Sequence, residues 1–164
     1  MAIGSLAAVS TMSHAYDRMH YTNQCECVAP LDQTGQNDDM HAAFAYLQLH
    51  HEKDGMIIEG YCIGPEIIRE YIIDETTGVE YEETFPTCLS AQSYRFPLDA
   101  NIRYQSAPNG DILPQSDGPD WLQKQLEYWP ESIFDITLSS ENRVRHIKPA
   151  PYSMPHDSSP IQEQ

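Results

Sequence analysis

Residues 67–74 (IIREYIID) and 79–85 (VEYEETF) flank the short segment 75–78 (ETTG) and form the clearest structural pattern in the chain. Both flanking runs are rich in β-branched and aromatic residues, and the connection between them is short and ends in glycine. This pattern predicts a β-hairpin. Residues 56–64 (MIIEGYCIG) predict a strand immediately before it. The three segments together predict an antiparallel meander.

Upstream of this region, residues 44–52 fit two structures. Met40, Ala43, Phe44 and Leu47 would line one side of a helix. Alternation of apolar and polar residues, followed by a turn at residues 53–55 (KDG), instead favours a strand. We expect the strand, because an Asp-Gly turn between two apolar runs is the more specific signal.

Downstream, the pattern predicts further short strands and a helix. Strands are expected at residues 94–96, 101–105, 111–113, 134–138 and 143–148, with turns at Asn109-Gly110 and at residues 139–142. The helix is expected at 119–129 (PDWLQKQLEYW), because Pro119 suits a first helical turn and Pro130 ends the pattern. Leu122, Leu126 and Trp129 would form its apolar stripe.

The predicted fold class is therefore α+β, mainly antiparallel β in meanders and hairpins, with one amphipathic helix. A chain of 164 residues fits one domain. We divide it into an irregular N-terminal arm (1–39), a β-rich domain (40–148) and a proline-rich C-terminal tail (149–164), since the two ends have no sustained periodicity and the tail contains four prolines.

The charge balance excludes some classes of protein. The chain has 25 acidic and 9 basic residues, a net charge of -16 and a pI near 4.5. Such a protein is repelled by nucleic acids and anionic membranes, so neither is an expected direct partner. Four cysteines are present, and Arg18 is the first basic residue, so the basic start of a signal peptide is missing. We therefore expect reduced thiols and a location in the cytoplasm or in an assembled particle.

The acidic residues are concentrated in one part of the chain. Residues 52–83 contain ten acidic and two basic side chains, a net charge of -8. If the apolar residues of the hairpin share a buried face, then Glu70, Asp74, Glu80 and Glu82 lie together on the opposite face. Like charges across a strand pair are unfavourable, so such a face is expected to be hydrated or to bind a cationic partner.

Three of the nine basic residues lie within six positions, at Arg143, Arg145 and Lys148. They form a candidate basic patch, which would complement the acidic face of another copy of the chain. The predicted partners are accordingly a protein with a basic surface or further copies of the chain itself. An ordinary solvated strand face is the alternative for both charged regions.

Motifs for chemistry are few. Gly60-Tyr61-Cys62-Ile63-Gly64 fits G-x-C-x-G, the cysteine form of a nucleophile elbow, but the next residues predict a strand where a helix is required. His14, His20, Cys25 and Cys27 match a zinc site poorly, and no cofactor or metal is predicted. The leading hypothesis is a non-enzymatic assembly or interaction protein, for example a structural subunit of a virion. The alternatives are a nucleic-acid-mimicking inhibitor of a DNA-binding enzyme and a small hydrolase that uses Cys62.

Overall fold

The computed structural model describes residues 20–21, 28–30, 39–64 and 66–154. This part of the chain contains nine strands and one α-helix. Their bounds are β1 (His20–Tyr21), β2 (Val28–Pro30), β3 (Met40–Glu52), β4 (Gly55–Ile63), β5 (Ile67–Ile73), β6 (Glu80–Pro86), β7 (Cys88–Tyr104), α1 (Gly118–Tyr128), β8 (Ser132–Leu138) and β9 (Val144–Ser153). A 3₁₀ turn at Gln115–Asp117 leads into α1.

Five of the strands form a closed barrel. β3 pairs with β4 and β8, β4 pairs with β7, and β8 pairs with β9, all antiparallel. A parallel pairing between β7 and β9 closes the ring. The order around the barrel is β3, β4, β7, β9, β8, with α1 inserted between β7 and β8. A five-stranded Greek-key barrel of this connectivity is an OB-fold, a fold shared by proteins of many functions.

The barrel interior is the main core. Every barrel strand contributes buried side chains to this core, and Leu122 of α1 also belongs to it. The residues from the strands are Ala42, Phe44, Leu47, Ile58, Cys62, Ile102, Tyr104, Phe134, Ile136, Leu138, Val144 and Ile147. Trp121 packs edge-to-face on Tyr104 and Phe134. Gly118 is required at the start of α1, because a Cβ there would lie 2.0 Å from Cδ2 of the buried Tyr104 ring.

A second buried cluster lies on the other side of the sheet, since Ala45 points away from the face that carries its neighbour Phe44. It includes Ile63, Leu89, Ile133 and Met154. Met154 is buried, and residues 149–153 form the second half of β9. The expectation that the proline-rich tail begins at 149 is therefore wrong, because Pro149 and Pro151 are part of a strand.

The hairpin β5–β6 forms a separate two-stranded sheet. It is inserted between β4 and β7, and its two ends are held together at the barrel. Gly64 N–H donates to the Cys88 carbonyl (3.0 Å), and Thr87 N–H donates to the Glu66 carbonyl (3.1 Å). The predicted meander of β4, β5 and β6 is thus wrong, because β4 pairs with β3 and β7 instead.

Most of the elements agree with the local sequence patterns. The mainly antiparallel α+β class, the strand at 44–52, the hairpin at 67–85, the helix and the hairpin around residues 139–142 are confirmed. Residues 111–113 make only an isolated bridge, between Gln105 and Ile112. Trp129 is 61% exposed, not part of the apolar stripe, because it lies beyond the last helical residue. The predicted N-terminal arm lies largely outside the described residues, although β1 and β2 pair with β7 and β3.

Candidate interaction surface

The acidic hairpin is built around a four-residue loop. Asp74 organises the loop, because its Oδ1 accepts hydrogen bonds from the backbone N–H groups of Thr76 (2.8 Å) and Thr77 (3.3 Å). Gly78 N–H donates to the Asp74 carbonyl, and Gly78 has a φ of +71°, a conformation that favours glycine. Asp74 therefore stabilises the turn through these hydrogen bonds, in addition to contributing a negative charge to the hairpin.

The strand register separates the predicted acidic cluster into two groups. Ile73 lies opposite Glu80, Tyr71 opposite Glu82, and Glu70 opposite Glu83. Residues directly opposite each other share a face of the sheet. Glu80 and Glu82 are therefore on the face of Tyr71 and Ile73, whereas Glu70 is on the other face. The expectation that Glu70, Asp74, Glu80 and Glu82 share one face is wrong.

The physical reason lies in the loop length. Four loop residues between positions 74 and 79 pair even-numbered residues with odd-numbered ones. The predicted faces instead grouped Tyr71 and Ile73 with Val79 and Tyr81, which a loop of odd length would produce. A register change of one residue moves every side chain of one strand to the opposite face.

One face of the hairpin is open to solvent, and we call it the open face. It carries Arg69, Tyr71, Ile73, Glu80, Glu82 and Thr84. Tyr71 is 70% exposed and Ile73 is 64% exposed. The expectation that these two residues lie on a buried face is therefore wrong. Their neighbours across the strand are carboxylates, and Arg69 Nε is 3.8 Å from Glu82 Oε1 in an exposed ion pair. The open face thus combines two large apolar side chains with acidic ones.

The opposite face carries the residues that anchor the hairpin. Ile68, Glu70 and Ile72 are half-buried, and Phe85 is fully buried at the base. Hairpins of two strands are marginally stable in water, so burial at the base is needed to fix this one. The acidic residues therefore differ in role: Glu80 and Glu82 lie on the open face, and Glu70 lies on the anchored one.

The predicted basic patch is largely neutralised by neighbouring acids. Arg145 Nη1 lies 3.1 Å from Asp39 Oδ1 and 3.0 Å from Oδ2. Lys148 lies opposite Asp135 in the β8–β9 ladder. Arg143 is exposed beside the β8–β9 turn, where its backbone N–H donates to Ser139 Oγ. The geometry gives this region little attraction for an acidic surface of another copy.

Next to the basic residues is a polar cleft of about 520 Å³. It lies between β7 and the β8–β9 turn, where β7 bulges away from β9 between Leu98 and Arg103. Two arginines and two acids line it together with smaller polar residues: Asp99, Asn101, Arg103, Ser139, Ser140, Glu141 and Arg145. The formal charges of its lining cancel, so charge alone selects neither an anion nor a cation.

Two histidines near the cleft, His41 and His146, are not among the predicted site residues. His146 Nε2 is 3.1 Å from Gln105 Oε1, and His41 Nδ1 is 3.2 Å from Thr137 Oγ1. Burial lowers the pKa of both histidines, with a further contribution from Lys148, and Arg103 also lowers the pKa of His146. These surroundings favour the neutral form of both side chains over the charged form. Only pairing across strands that are distant in the chain brings them together, so no local sequence pattern identifies them.

Cys62 does not have the environment of a nucleophile. It is fully buried in β4, its backbone N–H donates to Ser90 Oγ (3.0 Å), and the chain continues into a strand. Cys62 and Cys88 are both disulfide-bonded. The expectation of reduced thiols is thus wrong at these two positions, since disulfide partners depend on tertiary contacts that the sequence does not display. Cys25 and Cys27 lie outside the described residues.

Neither a metal site nor a membrane-spanning helix is present in the described ranges. No group of three or more His, Cys, Asp or Glu side chains is arranged there to hold a metal ion. No helix in the same ranges has the length and hydropathy needed to cross a bilayer. The residues that match a zinc site poorly in the sequence, His14, Cys25 and Cys27, fall outside the described residues, as does the side chain of His20.

Comparison of the chain with protein-family models, curated protein sequences and solved structures gave no significant match.

Proposed function

We propose that the chain is a non-enzymatic, acidic interaction protein that binds a basic protein partner through the hairpin β5–β6, as one subunit of a larger assembly. The observation that carries this proposal is the open face. It presents Tyr71 and Ile73, 70% and 64% exposed, on a hairpin outside the barrel sheet. Exposed apolar side chains with a charged surround are typical of binding surfaces, and tyrosine is enriched in their energetic centres.

Charge favours a basic partner. Residues 66–83 contain seven acidic side chains against Arg69, a net charge of -6. Attraction to this segment would accelerate encounter with a cationic protein and would be screened by salt. The basic patch is a poor partner for the open face of another copy, because Arg145 and Lys148 already face Asp39 and Asp135.

The two alternatives have less support. A nucleic-acid mimic needs a row of carboxylates on one surface, whereas Glu70 and Glu80 are on opposite faces. A hydrolase that uses Cys62 needs a thiolate, whereas the sulfur of Cys62 is in a disulfide bond. Disulfides persist in oxidising surroundings, including the surfaces of cells and virions. We accordingly propose such a location in place of the cytoplasm.

The test is affinity capture from the source material with three immobilised proteins. They are the wild type, a Tyr71→Ser/Ile73→Ser variant, and a control Tyr128→Ser/Trp129→Ser variant that removes two aromatic side chains exposed elsewhere (73% and 61%). Captured proteins are identified by mass spectrometry, and the direct affinity of a purified candidate is measured at about 50 and 200 mM salt.

We expect a basic protein that binds the wild type and the control equally and binds the hairpin variant at least about tenfold more weakly, a change of about 1.4 kcal/mol. Affinity should fall at the higher salt concentration. Equal binding by all three proteins, or a partner that is not basic, would contradict the proposal.

A further inference from the structure

The backbone of the hairpin offers a second recognition element, the outer edge of β6. Asp74 N–H donates to the Val79 carbonyl at 2.9 Å, so this pair is hydrogen-bonded. Hydrogen-bonded and non-hydrogen-bonded pairs alternate along an antiparallel ladder. The next pairs on the open face, Ile73–Glu80 and Tyr71–Glu82, are therefore non-hydrogen-bonded. The N–H and C=O groups of Glu80 and Glu82 consequently point away from β5, toward the outer edge.

Within the described residues, no strand pairs with that edge, since β5 and β6 form a sheet of two strands. Their register is continuous from Ile67–Pro86 to Ile73–Glu80, without a bulge. Proline occurs in these two strands only at Pro86, the last residue of β6. Bulges and prolines are means by which proteins prevent strand addition, and this edge lacks both over Glu80–Phe85. The charged side chains beside this edge are therefore what decides which strand can be added.

The same two residues supply that selection. The side chains of Glu80 and Glu82 lie on the open face, about 6.6–6.8 Å apart along the strand, while their backbones point to the edge. A residue paired with Glu80 or Glu82 from a third strand would place its own side chain on the open face. Cationic residues at alternate positions of that strand would therefore lie directly beside the two carboxylates.

We propose that β6 receives an extended segment of the basic partner as an antiparallel third strand, with Lys or Arg at alternate positions opposite Glu80 and Glu82. This inference rests on the proposed function and specifies its mode of recognition. Backbone hydrogen bonds supply affinity that is independent of sequence, and the alternating charges supply specificity. The added strand would extend the open face on which Tyr71 and Ile73 lie, at the side where the carboxylates are.

A second copy of the chain does not fit this edge. Pairing β6 with β6 of another copy would bring Glu80 and Glu82 opposite or diagonal to glutamates, and like charges across a strand pair are destabilising. β9, which carries Arg145 and Lys148, is already paired on both sides, with β7 and β8. The occupant is therefore a different, basic protein segment.

The test uses short synthetic peptides as probes, with binding measured by calorimetry. The first peptide alternates lysine and threonine over six residues, and the second has the same composition in two blocks. Two further versions of the alternating peptide are N-methylated, one on the lysine nitrogens and one on the threonine nitrogens. In an antiparallel pairing the lysine N–H groups point to β6 and the threonine N–H groups point to solvent.

We expect the alternating peptide to bind about tenfold more tightly than the block peptide. N-methylation of lysine should abolish this advantage, and N-methylation of threonine should preserve it. The variant Glu80→Gln/Glu82→Gln should bind the alternating peptide about 3- to 10-fold more weakly. Asp111→Asn/Glu127→Gln removes two exposed acids outside the hairpin and is the control for net charge.

The outcomes separate the two proposals. If alternating and block peptides bind equally, and both bind more weakly to the Glu80/Glu82 variant than to the control, the hairpin recognises charge alone and strand addition is wrong. Loss on N-methylation of threonine in place of lysine would overturn the antiparallel arrangement. If a basic protein is captured through Tyr71 and Ile73 while no peptide binds, the proposed function stands and this inference fails. Failure of both experiments rejects both proposals.

Discussion

Replacement of Tyr104 by phenylalanine should stabilise the protein. Tyr104 is 1% exposed in the barrel core, and no described atom forms a hydrogen bond with its hydroxyl group. Burial raises the pKa of this side chain. A buried hydroxyl without a partner costs about 1–3 kcal/mol of desolvation, and Tyr104→Phe removes that cost while it keeps the aromatic ring that packs on Trp121.

Because removal of the oxygen also leaves a small void, we expect a net gain of about 1 kcal/mol in the free energy of unfolding. For a chain of this size this corresponds to a rise in Tm of about 2–4 °C. The assays are thermal and urea unfolding followed by circular dichroism, with the disulfides intact. Tyr94→Phe is the control, because Tyr94 is 39% exposed and its hydroxyl group is not buried in the core.

A second readout is independent of stability. The absorbance change that reports tyrosine ionisation should lose one component of raised pKa in Tyr104→Phe, because burial raises the pKa of Tyr104. The component from Tyr152, whose pKa is raised by burial and by Asp135, should remain. A fall in Tm of about 2 °C or more for Tyr104→Phe, with Tyr94→Phe unchanged, would show that the hydroxyl has a favourable partner and would refute the reasoning.

Two further predictions follow from the core and from the histidines. Gly118→Ala should lower the free energy of unfolding by about 1–2 kcal/mol despite the better helix propensity of alanine, because the new Cβ would lie 2.0 Å from Cδ2 of Tyr104. Urea unfolding measures this change, and a variant more stable than the wild type would contradict the prediction. The pKa of His146 is lowered by burial and by Arg103, Lys148 and His41. As the pH falls below about 6.5, this histidine takes up a proton in the unfolded chain before it does so in the folded protein. The free energy of unfolding therefore decreases as the pH falls, until the pKa of the folded state is passed. His146→Gln should reduce the loss of stability between about pH 7 and 5, and an unchanged dependence of the free energy of unfolding on pH would contradict this. The pKa of Asp135 is raised by burial, so Asp135 acts in the opposite direction at lower pH.

Local signals in the sequence were sufficient for most of the elements. The Asp-Gly turn at residues 54–55 identified β3 and β4, and the prolines at 119 and 130 placed the helix within one residue at each end. These signals act through backbone conformation over a few residues, so they need no knowledge of tertiary contacts. The order of strands around the barrel, by contrast, depends on pairings such as Arg103 with His146 that no short segment encodes.

The candidate site was predicted in position but not in orientation. The sequence identified the acidic hairpin and its loop, and the loop length alone fixed the register that separates Glu70 from Glu80. The exposure of Tyr71 and Ile73 could not be inferred in the same way. An apolar residue in a strand is buried only when another element covers it, and the pattern of the hairpin is the same whether or not it joins the main sheet.

The disulfides at Cys62 and Cys88 show a related limit. Four cysteines at irregular spacing fit reduced thiols as well as paired ones. Pairing requires that two Cβ atoms approach to about 4 Å, a condition set by the fold alone. The pairing state of these cysteines is thus inferred from the three-dimensional contacts and not from the composition.

The closed base of the hairpin has a consequence for how the chain can be altered. The segment leaves the barrel at Gly64 and returns at Cys88, and backbone hydrogen bonds join Gly64 to Cys88 and Glu66 to Thr87. An insertion with adjacent ends adds little strain to its host, so its length and sequence can vary while the barrel is retained. The loop and the open face can therefore be altered without a change to the barrel core, as long as the buried base at Phe85 is kept, and the partner selectivity that we propose for this face could be changed there.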